Sequence, residues 1–180
     1  MSWLPSQTVG PFFHFLLAAD LAPGCVAGPD AQGERIRLRI RLFDGAGAPV
    51  PDGMIELWQA DAAGSYQHPD AAFRGFGRLA TDAGGACAFD TIRPGRVSDG
   101  RGGRQAPHIN VSVFARGLLG RLATRVYFAG DPALTGDPVL ALVPENRRQT
   151  LLAQPDAAST SGWNFDIHLQ GEQETVFFDV

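Results

Sequence analysis

Apolar and polar residues alternate along much of the chain, and this pattern predicts strands. The alternation is strictest in RIRLRIRLF at 35–43, where arginine alternates with isoleucine or leucine. A period of two places the apolar set on one face of a strand, so that one face is buried and the other is wet. Further segments rich in β-branched and aromatic residues predict additional strands, namely 54–60, two pieces of 76–92 joined by a hairpin-like turn at Asp82–Gly85, 108–117, 122–132, 164–171 and 174–180.

One segment has a helical pattern. In ENRRQTLLAQP at 145–155, two leucines follow a polar stretch and Pro155 ends the segment. The chain also carries 13 prolines and 22 glycines, which suit the turns between short strands. The sequence therefore predicts an all-β fold, a β-sandwich of seven to eight short antiparallel strands with an N-terminal arm and one short helix. We assign residues 1–34 to the arm, within the same domain and contacting a partner, and residues 35–180 to the sandwich.

Composition narrows the class of protein. The 180 residues suffice for one domain with a sizeable core. The net charge is −4 and all 15 basic residues are arginine, which argues against a nucleic-acid partner. No apolar run of about 18 residues is present and the first residues lack the pattern of a signal peptide. We expect a cytoplasmic protein without a membrane segment, in which Cys25 and Cys87 are unpaired thiols.

Four arginines, at positions 35, 37, 39 and 41, share one face of the first predicted strand. The simplest interpretation is the solvated face of a half-buried strand. Like charges along one strand repel each other, however, so an acidic surface of a partner that covers them is a second hypothesis.

The chemistry-bearing residues alone indicate no reaction. The four histidines form no HExxH motif, and neither a GxSxG elbow nor a phosphate-binding glycine loop is present. His108 and Asn110 lie two residues apart in a predicted strand and thus on the same face. From the residues alone, the sequence predicts a β-sandwich that could be a binding module.

Several segments together resemble the intradiol ring-cleaving dioxygenases. They occur in the family's order over nearly the whole chain, and they are PSQTVGPFFHF, IELWQADAAGSYQH, FGRLATDAGGACAFDTIRPG, APHINVSVFARG and GWNFDIHLQGEQETVFFDV. The resemblance implies a catechol ring that is cleaved between its hydroxyls with O₂ at a mononuclear Fe(III). In the family's catalytic chains, two tyrosines and two histidines hold this ion, since hard phenolate donors suit ferric iron.

The same comparison implies that this chain lacks the metal. His108 matches the first family histidine, but Asn110 stands in place of the second. Val97 follows Pro94–Gly95–Arg96 where a tyrosine ligand would stand, and phenylalanines occupy the loop of the other tyrosine. We interpret Tyr66 as a family tyrosine outside the ligand set. The resemblance then implies that His108 and Asn110 mark a vestigial metal position and that a related beta chain, as the partner of this chain, holds the Fe(III).

The resemblance also implies residues that line the partner's substrate pocket. They are Thr8, Gly10 and Pro11 in the arm and Arg116 in FARG. A guanidinium binds or steers the carboxylate of a small aromatic acid, and Gly10 lets the backbone approach a ligand. The alternatives are that Arg116 is a solvated strand end and that the segment around Gly10 and Pro11 is an ordinary turn. Under these alternatives the chain is either an aromatic-acid-binding module without a partner or a purely structural subunit.

Overall fold

Eight strands form the fold of the part of the chain that the structure describes. The computed structural model describes Thr8, Gly10 and residues 24–67 and 72–179, and it confirms the all-β class. The strands are β1 (Arg35–Phe43), β2 (Met54–Gln59), β3 (Phe76–Ala80), β4 (Ala86–Ile92), β5 (His108–Phe114), β6 (Leu122–Phe128), β7 (Leu152–Pro155) and β8 (Gly162–His168).

The strands form one curled, nearly closed sheet in the order β3-β2-β5-β6-β7-β8-β1-β4. Apolar side chains from both halves of this sheet share one core, as in a sandwich. Five of the described pairings are antiparallel, whereas β1 with β8 and β6 with β7 are parallel. The expectation of antiparallel strands missed these two because a parallel pair needs a long connection, which periodicity does not reveal.

The core follows from the alternation in β1. Ile36, Leu38, Ile40 and Leu42 are all buried, while the arginines between them face outward. A second, smaller cluster of buried residues lies beside the end of β6. The domain division at residue 34 stays a prediction, although Val26 of the expected arm packs into the main core.

Two local predictions were wrong in detail. The turn at Asp82–Gly85 forms, with backbone N–H groups bonded to the Asp82 carboxylate, but it joins no hairpin, because β3 pairs with β2 and β4 pairs with β1. The segment at 145–155 begins as a 3₁₀ helix that ends at Leu151, and its last residues form β7. Further 3₁₀ segments span Pro132–Gly136 and Leu140–Leu142.

Three of the four arginines on the outer face of β1 have described partners within the chain. Arg37 pairs with Asp90, and Arg41 makes two hydrogen bonds to Asp166 at 2.7 and 2.5 Å. Arg35 donates to two backbone carbonyls. Much of the repulsion along the strand is thus relieved within the chain, and an acidic partner surface is not needed for these three arginines.

Both cysteines, Cys25 and Cys87, are free thiols, as expected. Within the described residues, no helix has the length and apolar character that crossing a membrane demands.

Candidate functional site

A broad cleft lies on the outer face of the layer formed by β3, β2, β5 and β6. Its floor follows from the strand register, which aligns Phe76 with Trp58, Trp58 with Asn110, and Asn110 with Arg125. These side chains point outward because alternate residues of each strand fill the core on the other side. Trp58 is 59% exposed and Phe76 is 42% exposed, so the cleft presents two large aromatic surfaces to its interior.

His108 and Asn110 occupy this layer, but they play different parts. The Asn110 amide lines the cleft, whereas His108 is only 1% exposed. The Nδ1 atom of His108 lies 2.8 Å from the carbonyl of Ala106, and its ring lies against Tyr127 of β6. Burial and the nearby charge of Arg125 lower the pKa of His108 to about 4. His108 is thus a neutral, packed histidine.

The structure places Tyr66 beside Asn110. Asn110 Nδ2 donates a hydrogen bond of 2.8 Å to the Tyr66 hydroxyl, and the Tyr66 ring contacts Trp58 edge-on with centroids 5.8 Å apart. Burial raises the pKa of Tyr66, so the hydroxyl is protonated at neutral pH. The phenol therefore lies at the vestigial position itself. The one signal in the sequence is the GSYQH motif, which precedes the loop where the family resemblance places a tyrosine ligand.

A close contact between two loops holds Tyr66 in place. Gly64 has a φ of +86°, and a Cβ there would lie 2.0 Å from the carbonyl oxygen of Arg96. A Cβ on Gly95 would meet the carbonyl oxygen of Ala62 at 2.3 Å. Both positions therefore require glycine, and their contact brings the Tyr66 loop against the turn that leads to Val97.

The predicted pocket-lining residues lie elsewhere. The Gly117 N–H donates to the Thr8 hydroxyl at 2.8 Å, which places Thr8 beside Arg116. The Arg116 side chain is 75% exposed and pairs with Asp52. A Cβ on Gly10 would meet no described atom within 4 Å. Pro11 lies outside the described residues.

These residues lie beyond the C-terminal end of β5 and do not line the cleft, which reaches along β5 only as far as Ser112. The structure therefore brings Thr8 and Arg116 together, and it groups Asn110 with Tyr66, but it does not join these two pairs.

Known proteins identify the family. A family model described as Dioxygenase matches residues 9–171. The protocatechuate 3,4-dioxygenase alpha chain of Pseudomonas putida is 43% identical, over 97% of this chain and 95% of the relative. The chain belongs to the intradiol ring-cleavage dioxygenases. The protocatechuate 3,4-dioxygenase beta chain of Burkholderia cepacia is 36% identical, over 94% of this chain and 77% of the relative.

A solved dioxygenase structure also matches the fold. It is the dioxygenase domain of a dioxygenase carbohydrate-binding protein fusion from Streptomyces sp. SirexAA-E, with a TM-score of 0.66 and 28% identity over 93% of this chain and 97% of that domain. The alpha and beta names of the relatives indicate that they form an alpha–beta complex.

Intradiol dioxygenases depend on non-heme ferric iron, and the residues of this cleft do not fit that ion. The Tyr66 hydroxyl accepts a hydrogen bond from the Asn110 amide. His108 is buried, with its Nδ1 atom 2.8 Å from the Ala106 carbonyl. Arg125 adds a fixed positive charge beside both potential donors. In the part of the chain that the structure describes, no group of three histidine, cysteine or acidic side chains could hold a metal.

Proposed function

We propose that this chain is the alpha subunit of protocatechuate 3,4-dioxygenase and that a beta subunit of the same enzyme binds the Fe(III). The complex cleaves 3,4-dihydroxybenzoate between its hydroxyls with O₂ and yields 3-carboxy-cis,cis-muconate. The observation that carries the proposal is the Asn110 amide, bonded to Tyr66, at the position of a family histidine. We place the complex in the cytoplasm.

Co-expression with a beta chain from the same organism tests this proposal. We expect a coloured complex that contains iron and cleaves 3,4-dihydroxybenzoate, because tyrosinate bound to Fe(III) absorbs visible light. We expect no iron and no ring cleavage from the chain purified alone. Iron analysis, visible absorption and oxygen uptake measure these properties, and stoichiometric iron with activity in the chain alone would refute the proposal.

The proposal places Arg116 at the substrate pocket of the partner subunit. Thr8, Gly10 and Pro11 would border the same pocket. Arg116 supports this role because its guanidinium is largely exposed and is tethered by Asp52 at the rim of the fold. Because Arg116 does not line this chain's own cleft, its position favours a role in the substrate pocket of another chain. A carboxylate on the aromatic ring gives the guanidinium an anionic group to bind.

We expect Arg116→Ala in the assembled enzyme to raise the KM for 3,4-dihydroxybenzoate about tenfold, because a charge-assisted hydrogen bond contributes about 1.5 kcal/mol or more. Steady-state kinetics measure this change. Arg39→Ala, which removes an exposed arginine of β1, is the matched control and should leave the KM unchanged. Unaltered KM and kcat in Arg116→Ala would favour a purely structural subunit.

A further inference from the structure

The cleft over β3, β2, β5 and β6 is a chemically specific space that the proposed function leaves unused. Its volume of about 960 Å³ lies within the range of ligand pockets, about 300–1,000 Å³. The exposed faces of Trp58 and Phe76 form part of its floor. Aromatic side chains offer a stacking surface for a planar ring.

The charged groups of the cleft are mostly cationic. Among the described residues that line it, Arg74, Arg121 and Arg125 are opposed by a single carboxylate, Glu56. Glu56 is already paired with Arg78 of the adjacent strand. The described part of the cleft therefore carries an excess of positive charge, which attracts an anion and repels a metal ion.

Two groups on one side of the floor are set up to donate hydrogen bonds inward. The Tyr66 hydroxyl accepts from Asn110, so its own proton is available to a ligand. Arg125 donates to Gln105 at 2.7 Å, and a guanidinium has five N–H donors in all. No described carboxylate forms an ion pair with Arg125, so this cation lacks an anionic partner in the described structure.

We propose that this cleft is a binding site for a planar aromatic carboxylate, with the ring on Trp58 and the carboxylate on Arg125 and Tyr66. Asn110 of β5 pairs with Trp58 of β2 on one side and with Arg125 of β6 on the other. The backbones of Trp58 and Arg125 therefore lie two strand spacings apart, about 10 Å. The two long side chains bridge much of this distance, and a single-ring acid spans the rest. The site binds without chemistry, and it does not depend on the identity of a catalytic partner.

Benzoate and its neutral isostere benzamide test the site on the full chain. We expect benzoate to bind at least tenfold more tightly than benzamide in calorimetry, because only benzoate satisfies the arginine. Arg125→Gln should weaken benzoate binding at least tenfold and leave benzamide binding unchanged. Arg39→Gln is the matched control and should bind benzoate as the original chain does. Equal affinities for the two probes, or full benzoate affinity in Arg125→Gln, would overturn the proposal.

A second variant keeps the test decisive if Arg125→Gln fails to fold. Trp58 is exposed, so Trp58→Leu should fold normally, and it should weaken both probes severalfold because the stacking surface is lost. Unchanged affinities in this variant would also overturn the proposal. In a complex with a catalytic chain, the cleft should bind one further equivalent of benzoate that Arg125→Gln removes. Ring cleavage is measured separately, so each proposal fails on its own result.

Discussion

Replacing Asp137 with alanine is expected to lower the free energy of unfolding by about 4 kcal/mol, since several hydrogen bonds to a buried charge are lost together. The Asp137 carboxylate is only 1% exposed. It accepts the backbone N–H groups of Ala106 and Leu140 at 2.7 Å each and that of Val139 at 2.9 Å, and it accepts the Tyr127 hydroxyl at 3.1 Å. Urea unfolding monitored by circular dichroism measures the loss.

The cost arises because the variant leaves buried donors without a partner. The Asp137 carboxylate joins the residue before β5, Ala106, and the 3₁₀ segment Leu140–Leu142 to Tyr127 near the end of β6. These donors would therefore also lose their alignment in the variant. Asp99→Ala is the matched control: Asp99 accepts two backbone N–H groups at 2.8 Å in an exposed loop, where water replaces the lost acceptor. We expect a loss below about 1 kcal/mol there. Equal losses in the two variants would contradict this account.

The elements of the fold were predictable where one rule decides the structure. In β1 the period of two fixes which residues are buried, and the structure has that alternation throughout 35–43. The end of the chain was less predictable. Residues 174–179 make an isolated bridge from Phe178 to Ala123 and not a strand, because their pairing depends on how much of β6 the neighbouring β7 leaves free.

The candidate site was only partly predictable, because its contacts join distant parts of the chain. The pairing of His108 with Asn110 as a vestigial site required only their spacing and the family's pattern. The Tyr66 contact spans 44 positions and depends on two loops that meet through glycines. No local pattern encodes such an approach. The position of Arg125 opposite Asn110 likewise depends on the register of β5 and β6.

These contacts show how few changes separate a metal position from the proposed anion site. Burial keeps the Tyr66 phenol protonated, and the amide at position 110 donates a hydrogen bond to its oxygen where an imidazole would offer a lone pair to a metal. Arg125 then supplies the positive charge locally. A cation built into the protein disfavours a second cation and favours an anionic ligand, so the loss of the metal and the proposed carboxylate site have the same physical cause.

His108 should make the fold sensitive to acid. Its pKa of about 4 lies below the ordinary value of 6.5 because the imidazole is buried and Arg125 is near. The groups that face it from the packed elements are Arg125, Tyr127, Asp137 and the Ala106 carbonyl. As the pH falls below 6.5 the unfolded chain binds a proton that the folded chain refuses, so stability is complete above that pH and declines towards pH 4.

The expected loss from this histidine is about 3 kcal/mol between pH 7 and pH 4, since each unit of pKa difference corresponds to about 1.4 kcal/mol. Urea unfolding at several pH values measures the slope for the original chain and for His108→Gln, which has no ionisable group at this position. The variant should be less stable at pH 7 but lose less on acidification. Because carboxylates elsewhere also take up protons near pH 4, the deciding quantity is the difference between the two slopes from pH 6.5 to pH 5. Parallel curves would contradict this account, because they would show that His108 is protonated as readily in the folded chain as in the unfolded one. The burial of its ring against Ala106 and Tyr127 predicts the opposite.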